Sequence, residues 1–110
     1  MTAIDLNIFN NLKDTTGSDF IGELIDTFLD DAPIQIQQMK DALDRKDADL
    51  FRRAAHNIKS NAAAFGATQL TNLARELEGM GRENNLEIGN RLQVMEEAFQ
   101  NAKNQLIELR

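Results

Sequence analysis

Hydrophobic residues recur along this chain at intervals of three and four positions, and no segment shows the strict alternation that a half-buried strand requires. Five segments carry this helical period. The last is the most regular, because its apolar positions alternate steps of four and three, the spacing of a bundle seam. These positions are Ile88, Leu92, Met95, Phe99, Ala102, Leu106 and Leu109. The pattern predicts an all-α protein.

Residues with capping propensity separate the segments. Asp5, Ser18, Asp47 and Thr68 stand where a side-chain oxygen could accept the free N–H groups that begin the first, second, third and fourth helices. Gly66 is expected to end the third helix in the left-handed conformation. The fourth helix is expected to end in a cluster of glycines and asparagines: Gly79, Gly81, Asn84 and Asn85.

The second helical segment contains the only proline, Pro33. A proline inside a helix loses the bond to the carbonyl four residues earlier, here that of Leu29, and costs about 3 kcal/mol. A break at Pro33 is therefore the simplest expectation. The apolar spacing nevertheless continues in phase from Phe28 to Met39. We favour one long kinked helix over two separate helices.

Short turns between long amphipathic helices make sequence neighbours antiparallel. The expected fold is an antiparallel up-down four-helix bundle, with a short additional N-terminal helix laid across one end. With 110 residues, 42% of them hydrophobic, the chain is expected to form a single domain over residues 1–110.

Acidic residues exceed basic ones by 18 to 12, which gives a net charge of −6. A duplex-binding protein needs a basic surface, so nucleic acid is not an expected partner. No basic and apolar leader follows Met1, and no apolar run reaches the roughly 18 residues of a membrane helix. We expect a cytoplasmic protein with no membrane partner. Met1 and the lack of a linker favour a free-standing protein over an excised module.

The only histidine, His56, lies out of phase with the core of its helix. At about 100° per residue it falls roughly 150° from the centre of the apolar stripe. Its neighbours at three and four positions are Arg52, Arg53, Lys59 and Ser60. An exposed imidazole among cations is a poor core position and suits anion chemistry. The apolar stripe consists of Phe51, Ala54, Ala55, Ile58, Ala62 and Phe65.

An imidazole with its unperturbed pKa of about 6.5 is a competent nitrogen nucleophile near neutral pH. The neighbouring cations would disfavour the imidazolium form and could neutralise a bound phosphoryl group. Lys59 is the best candidate for neutralising the phosphoryl group. For Arg52 and for Arg53, an ordinary solvated surface position is as good an interpretation as this role. Small residues beside the ring would let another protein approach it, although alanine is also simply a good helix former. These residues are Ser60, Ala63 and Ala64.

Other chemistries lack their residues. The chain has no glycine-rich phosphate loop and no Glu-x-x-His pair, and one histidine without cysteine makes a zinc site improbable. We expect no cofactor or metal on this chain. The glutamates of the second half show no acid/base pairing and are predicted to lie on a solvated face: Glu76, Glu78, Glu83, Glu96 and Glu97.

These residues together resemble the histidine-containing phosphotransfer (HPt) domains of bacterial multistep phosphorelays. The resemblance rests on Ala55-His56-Asn57-Ile58-Lys59-Ser60-Asn61-Ala62, Phe65-Gly66-Ala67, Leu70, Leu73 and Leu77-Glu78. Upstream, Phe28-Leu29, Pro33, Met39-Lys40-Asp41-Ala42-Leu43 and Asp47 are similar to the family's preceding helix. The strong part covers roughly residues 18 to 84, judged by helix period and motif together. One departure is Ser60, where the family usually has glycine.

The resemblance implies that His56 accepts a phosphoryl group from a phospho-aspartate on a receiver domain and passes it to another receiver. Lys59 would steady the phosphoryl group. The expected partners are receiver domains of response regulators and hybrid histidine kinases, and these would supply the Mg²⁺. The protein itself is expected to be a monomeric phosphocarrier with no kinase activity of its own.

Two alternatives stay open at the level of sequence. The chain could be a helical adaptor that docks on a receiver or kinase domain without carrying phosphate. It could also be a homodimeric bundle, which would require an apolar stripe left over after the monomer has packed.

Overall fold

The computed structural model describes residues 3–110, and within that range it contains five α-helices and no strand. The helices are α1 (Leu6–Thr16), α2 (Ile21–Arg45), α3 (Ala48–Phe65), α4 (Thr68–Arg82) and α5 (Arg91–Leu109). The all-α prediction is confirmed.

Helices α2 to α5 form the four-helix bundle, and α1 packs against α3 and α2. Cross-helix contacts give the directions. Phe28 stacks on Phe65 while Asn57 donates to Gln35, so α2 and α3 run antiparallel. The ion pairs of Asp26 with Arg110 and of Lys40 with Glu96 show the same for α2 and α5.

A continuous apolar core runs through the bundle, with one buried face contributed by each helix. The largest fully buried side chains come from both ends of the chain and from all four bundle helices: Phe9, Phe51, Ile4, Ile25, Met39, Ile58, Leu70, Leu77, Met95 and Leu106. Burial of this apolar surface is the main source of stability for the fold.

The predicted caps at Asp5, Asp47 and Gly66 are confirmed. The Asp5 carboxylate accepts from the first backbone N–H groups of α1, and that of Asp47 accepts from Leu50 N at 3.0 Å. Gly66 ends α3 with φ of +80°, the left-handed conformation that glycine adopts without strain. Because a Cβ at this position would lie 2.7 Å from the carbonyl oxygen of Asp5, only glycine fits here.

Two predicted caps are wrong. Ser18 lies in the turn between α1 and α2, and α2 begins only after Phe20, whose N–H donates to Gly17 O. Thr68 is the first residue of α4 and not its cap, because the preceding position, Ala67, already takes that place.

Two further boundaries differ from prediction. Gly79 and Gly81 lie inside α4, which continues to Arg82, and Gly81 is buried against the neighbouring helix. Ile88 is buried but precedes α5, which begins at Arg91. Glycine ends a helix where it adopts the left-handed conformation. Gly81 instead lies within α4, where its lack of a side chain allows close packing against the neighbouring helix.

Helix α2 continues through Pro33 for 25 residues, so the prediction of one helix is confirmed. Ala32 and Ile36, on either side of the proline, are both buried, and Pro33 itself is exposed. The apolar contacts on both sides of Pro33 offset the hydrogen bond that the proline removes.

The segment before α1 is tied to the end of the bundle. The backbone N–H groups of Ala3 and Ile4 both donate to Gln105 Oε1, at 2.9 and 3.0 Å. The N–H of Asp5 donates to Gly66 O at 2.7 Å, and the Ile4 side chain is fully buried. These contacts fix α1 beside the turn between α3 and α4. None of the helices formed by residues 3–110 is both long and apolar enough to cross a membrane.

Candidate functional site

The imidazole of His56 lies on the solvent side of α3, as the helical phase predicts. Its neighbours Ala55 and Ile58 are buried in the bundle, whereas 51% of the His56 side chain is exposed. One ring nitrogen, Nδ1, lies 2.7 Å from Oε2 of Glu78 on α4. The Nδ1 side of the ring is therefore held by the protein, whereas the opposite edge, with Nε2, points away from Glu78.

Glu78 is the central residue of this site, and the expectation that it lies on a solvated face is wrong. Only 4% of its side chain is exposed. Its Oε2 contacts His56 Nδ1 and, at 3.4 Å, Arg82 Nη2, while its Oε1 accepts from Lys59 Nζ at 2.6 Å. A buried carboxylate needs such partners, because an unpaired charge away from water is strongly unfavourable.

The contacts of Glu78 also set its ionisation. Burial alone would raise the pKa of this carboxyl group, but the hydrogen bonds from Lys59 and His56 outweigh burial and hold the pKa below its ordinary value. Glu78 is therefore ionised at neutral pH, and it accepts from both neighbours.

Close approach of α3 and α4 makes the contact between His56 and Glu78 possible. Gly81, one turn after Glu78, faces the backbone of Arg52, and a Cβ there would lie 3.1–3.2 Å from Cβ, Cα and N of Arg52. The absence of a side chain at Gly81 lets the two helices pack closely at the level of the site. Among the helices of residues 3–110, α3 and α4 accordingly share the most extensive contact.

The two arginines before His56 are held away from the ring. Arg52 and Arg53 both pair with Asp49, at 2.8 and 3.0 Å, on the preceding turn of α3. The hydrogen bond from Arg52 is the main cause that lowers the pKa of Asp49. Of the three cations around His56 in the sequence, Lys59 alone is placed on the carboxylate that also holds the imidazole.

Small residues follow His56 along the exposed face of α3. Ser60, Ala63 and Ala64 are all exposed, and Ser60 makes no hydrogen bond to His56 within the described part of the chain. Ala64 borders a groove of about 260 Å³ between α1, α2 and α3, with Leu24 and Phe28 on its wall. Ala63 borders a second groove of about 220 Å³, towards α4. The surface beyond the imidazole is thus low and partly apolar.

Sequence reasoning missed Glu78 and Arg82. The helical phase of α4 contained a signal for Glu78, because it lies one turn after Ala74 and beside Leu77, both of which are buried. No comparable signal exists for Arg82, whose contact depends on the position of Glu78. Across residues 3–110, no three side chains of the histidine, cysteine, aspartate or glutamate types come together as possible metal ligands.

A helical bundle with an exposed imidazole, held through Nδ1 by a buried carboxylate, is a scaffold for nucleophilic chemistry at a histidine. Comparison with known proteins identifies the family. The model of the Hpt domain matches residues 23–109, and the chain therefore belongs to the Hpt family of histidine-containing phosphotransfer domains, which work with receiver domains in phosphorelays.

The fold is also similar to a solved structure. The crystal structure of histidine-containing phosphotransfer protein B (HptB) from Pseudomonas aeruginosa PAO1 superimposes with a TM-score of 0.87 at 25% sequence identity. The match covers 96% of this chain and 92% of that chain. A comparison with curated protein sequences gave no match. The family and the fold together support a phosphotransfer role in a phosphorelay.

Proposed function

We propose that His56 accepts a phosphoryl group from the phospho-aspartate of a receiver domain, such as that of a hybrid histidine kinase, and transfers it to a response regulator. The observation that carries this proposal is the 2.7 Å contact between Nδ1 of an exposed imidazole and the buried Glu78 carboxylate. Family membership supports the reaction class.

The Glu78 carboxylate selects the reactive nitrogen. An ionised carboxylate only accepts hydrogen bonds, so Nδ1 carries the ring proton in this contact. The neutral imidazole then has its lone pair on Nε2, at the edge of the ring away from Glu78. Nε2 is therefore the nucleophile, and no general base is required to activate it.

The transfer step is balanced without proton movement. The Nε2 lone pair attacks phosphorus, the N–P bond forms, and the P–O bond to the aspartate breaks with its electron pair leaving on the carboxylate. The ring keeps its Nδ1 proton and becomes positively charged, and the negative charge of Glu78 stabilises that charge. Delivery to the next receiver is the same step in reverse.

Lys59 has two parts in this proposal. Its ammonium holds Oε1 of Glu78 at 2.6 Å, so it fixes the carboxylate on which the imidazole depends. Its positive charge near the ring also stabilises the phosphoryl group as it transfers. Arg52 and Arg53 are assigned a weaker, long-range part, because their ion pairs with Asp49 hold them away from the ring.

The receiver would dock on the exposed face of α3 around His56. Ser60, Ala63 and Ala64 present short side chains there, which lets the phospho-aspartate of a partner approach Nε2. The proposal assigns the Mg²⁺ to the receiver, where it would neutralise charge on the phosphoryl oxygens during transfer.

The test is phosphoryl transfer from receiver domains charged with acetyl phosphate to the full chain. We expect an acid-labile label on the protein, and His56→Gln should abolish it while the helix content measured by circular dichroism stays unchanged. Asn57→Gln, at the adjacent exposed position, is the matched control and should accept the label normally. A label that survives His56→Gln, or no label from any receiver of the host, would contradict the proposal and favour an adaptor.

A further inference from the structure

Arg82 lies beside the imidazole without taking part in the interactions that the fold requires. Its Nη2 is 3.4 Å from Glu78 Oε2, the same oxygen that lies 2.7 Å from His56 Nδ1. These two distances place the guanidinium nitrogen within about 6 Å of the ring. The Arg82 side chain is 63% exposed, so it can change its position without disturbing the core.

The charges at the site leave Arg82 in excess. Glu78 carries one negative charge, and Lys59, which contacts it at 2.6 Å, already balances that charge. Arg52 and Arg53 are both held by ion pairs with Asp49. The contact of Arg82 is the longest that Glu78 makes, beyond the usual N–H···O distance, and the Arg82 side chain is largely exposed, so this contact contributes less to stability than that of Lys59.

A phosphoryl group on Nε2 would change this balance, because it adds between one and two negative charges. A guanidinium offers parallel N–H donors that match two phosphoryl oxygens. The Glu78 carboxylate is already bound by a lysine and an imidazole, so it needs the guanidinium less than the phosphoryl group does. The guanidinium of Arg82 is exposed and lies within about 6 Å of the ring that would carry this charge.

We propose that Arg82 is a phosphoryl-binding residue, whose guanidinium leaves Glu78 and binds the phosphoryl oxygens when His56 is phosphorylated. This inference rests on the proposed function of His56. No bond is made or broken in the exchange, and Glu78 keeps its contacts with His56 and Lys59. The consequence is a longer-lived phosphohistidine, because the phosphoryl group must break its charge-assisted hydrogen bonds to the guanidinium when it leaves Nε2.

The experiment loads the full chain with phosphoramidate, a small donor that needs no receiver, and follows the phosphohistidine by ³¹P NMR. The variants are Arg82→Gln, Arg82→Lys and the matched control Arg75→Gln. Arg75 is also an exposed arginine of α4 within one turn of Glu78, but it donates to Asn72. Glutamine and arginine have similar helix propensities, so α4 should form in every variant.

We expect Arg82→Gln to hydrolyse about two- to fivefold faster than wild type, the effect of one exposed charge pair. The ³¹P titration should also move to higher pH, since removal of a cation disfavours the phosphoryl dianion. Arg82→Lys should keep most of the wild-type lifetime and titration, and Arg75→Gln should match wild type. A structural role alone would not move the ³¹P titration.

The outcomes separate the two proposals. If wild type fails to form a phosphohistidine, the proposed function and this inference fall together. If wild type is phosphorylated on His56 but Arg82→Gln behaves like Arg75→Gln in both lifetime and titration, the role of Arg82 is wrong and the proposed function stands.

Discussion

At the scale of single residues, the site depends on one carboxylate that holds two neighbours at once. Glu78 binds the imidazole of His56 through Oε2 and the ammonium of Lys59 through Oε1. The ring is therefore fixed in both orientation and tautomer before any partner arrives. Such preorganisation lowers the reorganisation that the transfer step requires.

Replacing Glu78 with Gln tests this arrangement. The side chain keeps its size, but it loses the charge that stabilises the ring during transfer, so phosphorylation by phosphoramidate should slow by about tenfold or more. ¹⁵N NMR of the single imidazole should show a mixture of tautomers in place of the Nδ1–H form. Glu76→Gln, two residues earlier and paired with Arg91, is the control and should leave both unchanged. A Glu78→Gln protein with wild-type rate and tautomer would show that the carboxylate has no such role.

The exposure of His56 could be predicted from sequence, and the contact with Glu78 could not. Exposure follows from helical phase, which is a property of one segment. The contact joins residues that are 22 positions apart, and it depends on the relative position of α3 and α4 along their axes. Residue type also misled, because a glutamate is assigned to solvent unless a partner for its charge is known.

At the scale of helices, the pairing of α3 with α4 positions the site. Gly81 faces the backbone of Arg52, whereas a Cβ at Gly79, two residues earlier on the same helix, would meet no atom within 4 Å. The same helix thus offers one glycine that the packing requires and one that it does not.

Alanine at these two positions should act in opposite directions. Gly81→Ala should destabilise the protein by about 1–3 kcal/mol through overpacking, and should also slow phosphorylation of His56 by separating it from Glu78. Gly79→Ala should stabilise the protein by up to about 1 kcal/mol, since alanine favours the helix more than glycine does. Urea unfolding followed by circular dichroism measures both effects. Equal stability of the two variants would mean that the close contact at Gly81 does not constrain the helices.

Helix ends were predictable where the signal was local. The carboxylates of Asp5 and Asp47 and the left-handed Gly66 act within their own turns, and all three were confirmed. The prediction failed where the path of the chain between two helices decides which residue caps the second one. Thr68 was predicted as the cap, but it is the first residue of α4. Gly81 was wrongly predicted to lie at the end of α4, because it serves a contact with another helix, whereas no such contact in the described part of the chain involves Gly79.

At the scale of the whole molecule, carboxylates dominate the charge, with a net value of −6. Two of them, Glu78 and Asp49, have pKa values below their ordinary 4.5 and 3.8 in the folded state. A group whose pKa is lowered by folding favours the folded state above its unfolded pKa, and this contribution is lost as pH falls through the folded pKa. The protein should therefore lose stability on the acid side of these values.

The free energy of unfolding, measured with urea from neutral to acid pH, checks this expectation. Wild type should lose stability as pH falls below about 4.5, the ordinary value for Glu78. Glu78→Gln should show a shallower loss over the same interval, because it has no carboxyl group to protonate there, although it begins from a lower stability at neutral pH. Identical slopes in the two proteins would assign the acid sensitivity to other carboxylates.

The hydrogen bond between Glu78 and Nδ1 determines which isomer of phosphohistidine can form. Phosphohistidine exists in two forms, which differ in the ring nitrogen that bears phosphorus and are separate chemical species. With the nitrogen nearer the main chain committed to Glu78, a phosphorylated His56 takes only the form substituted on the remote nitrogen. The regiochemistry is then dictated by the packing of two helices in this protein, whichever donor supplies the group.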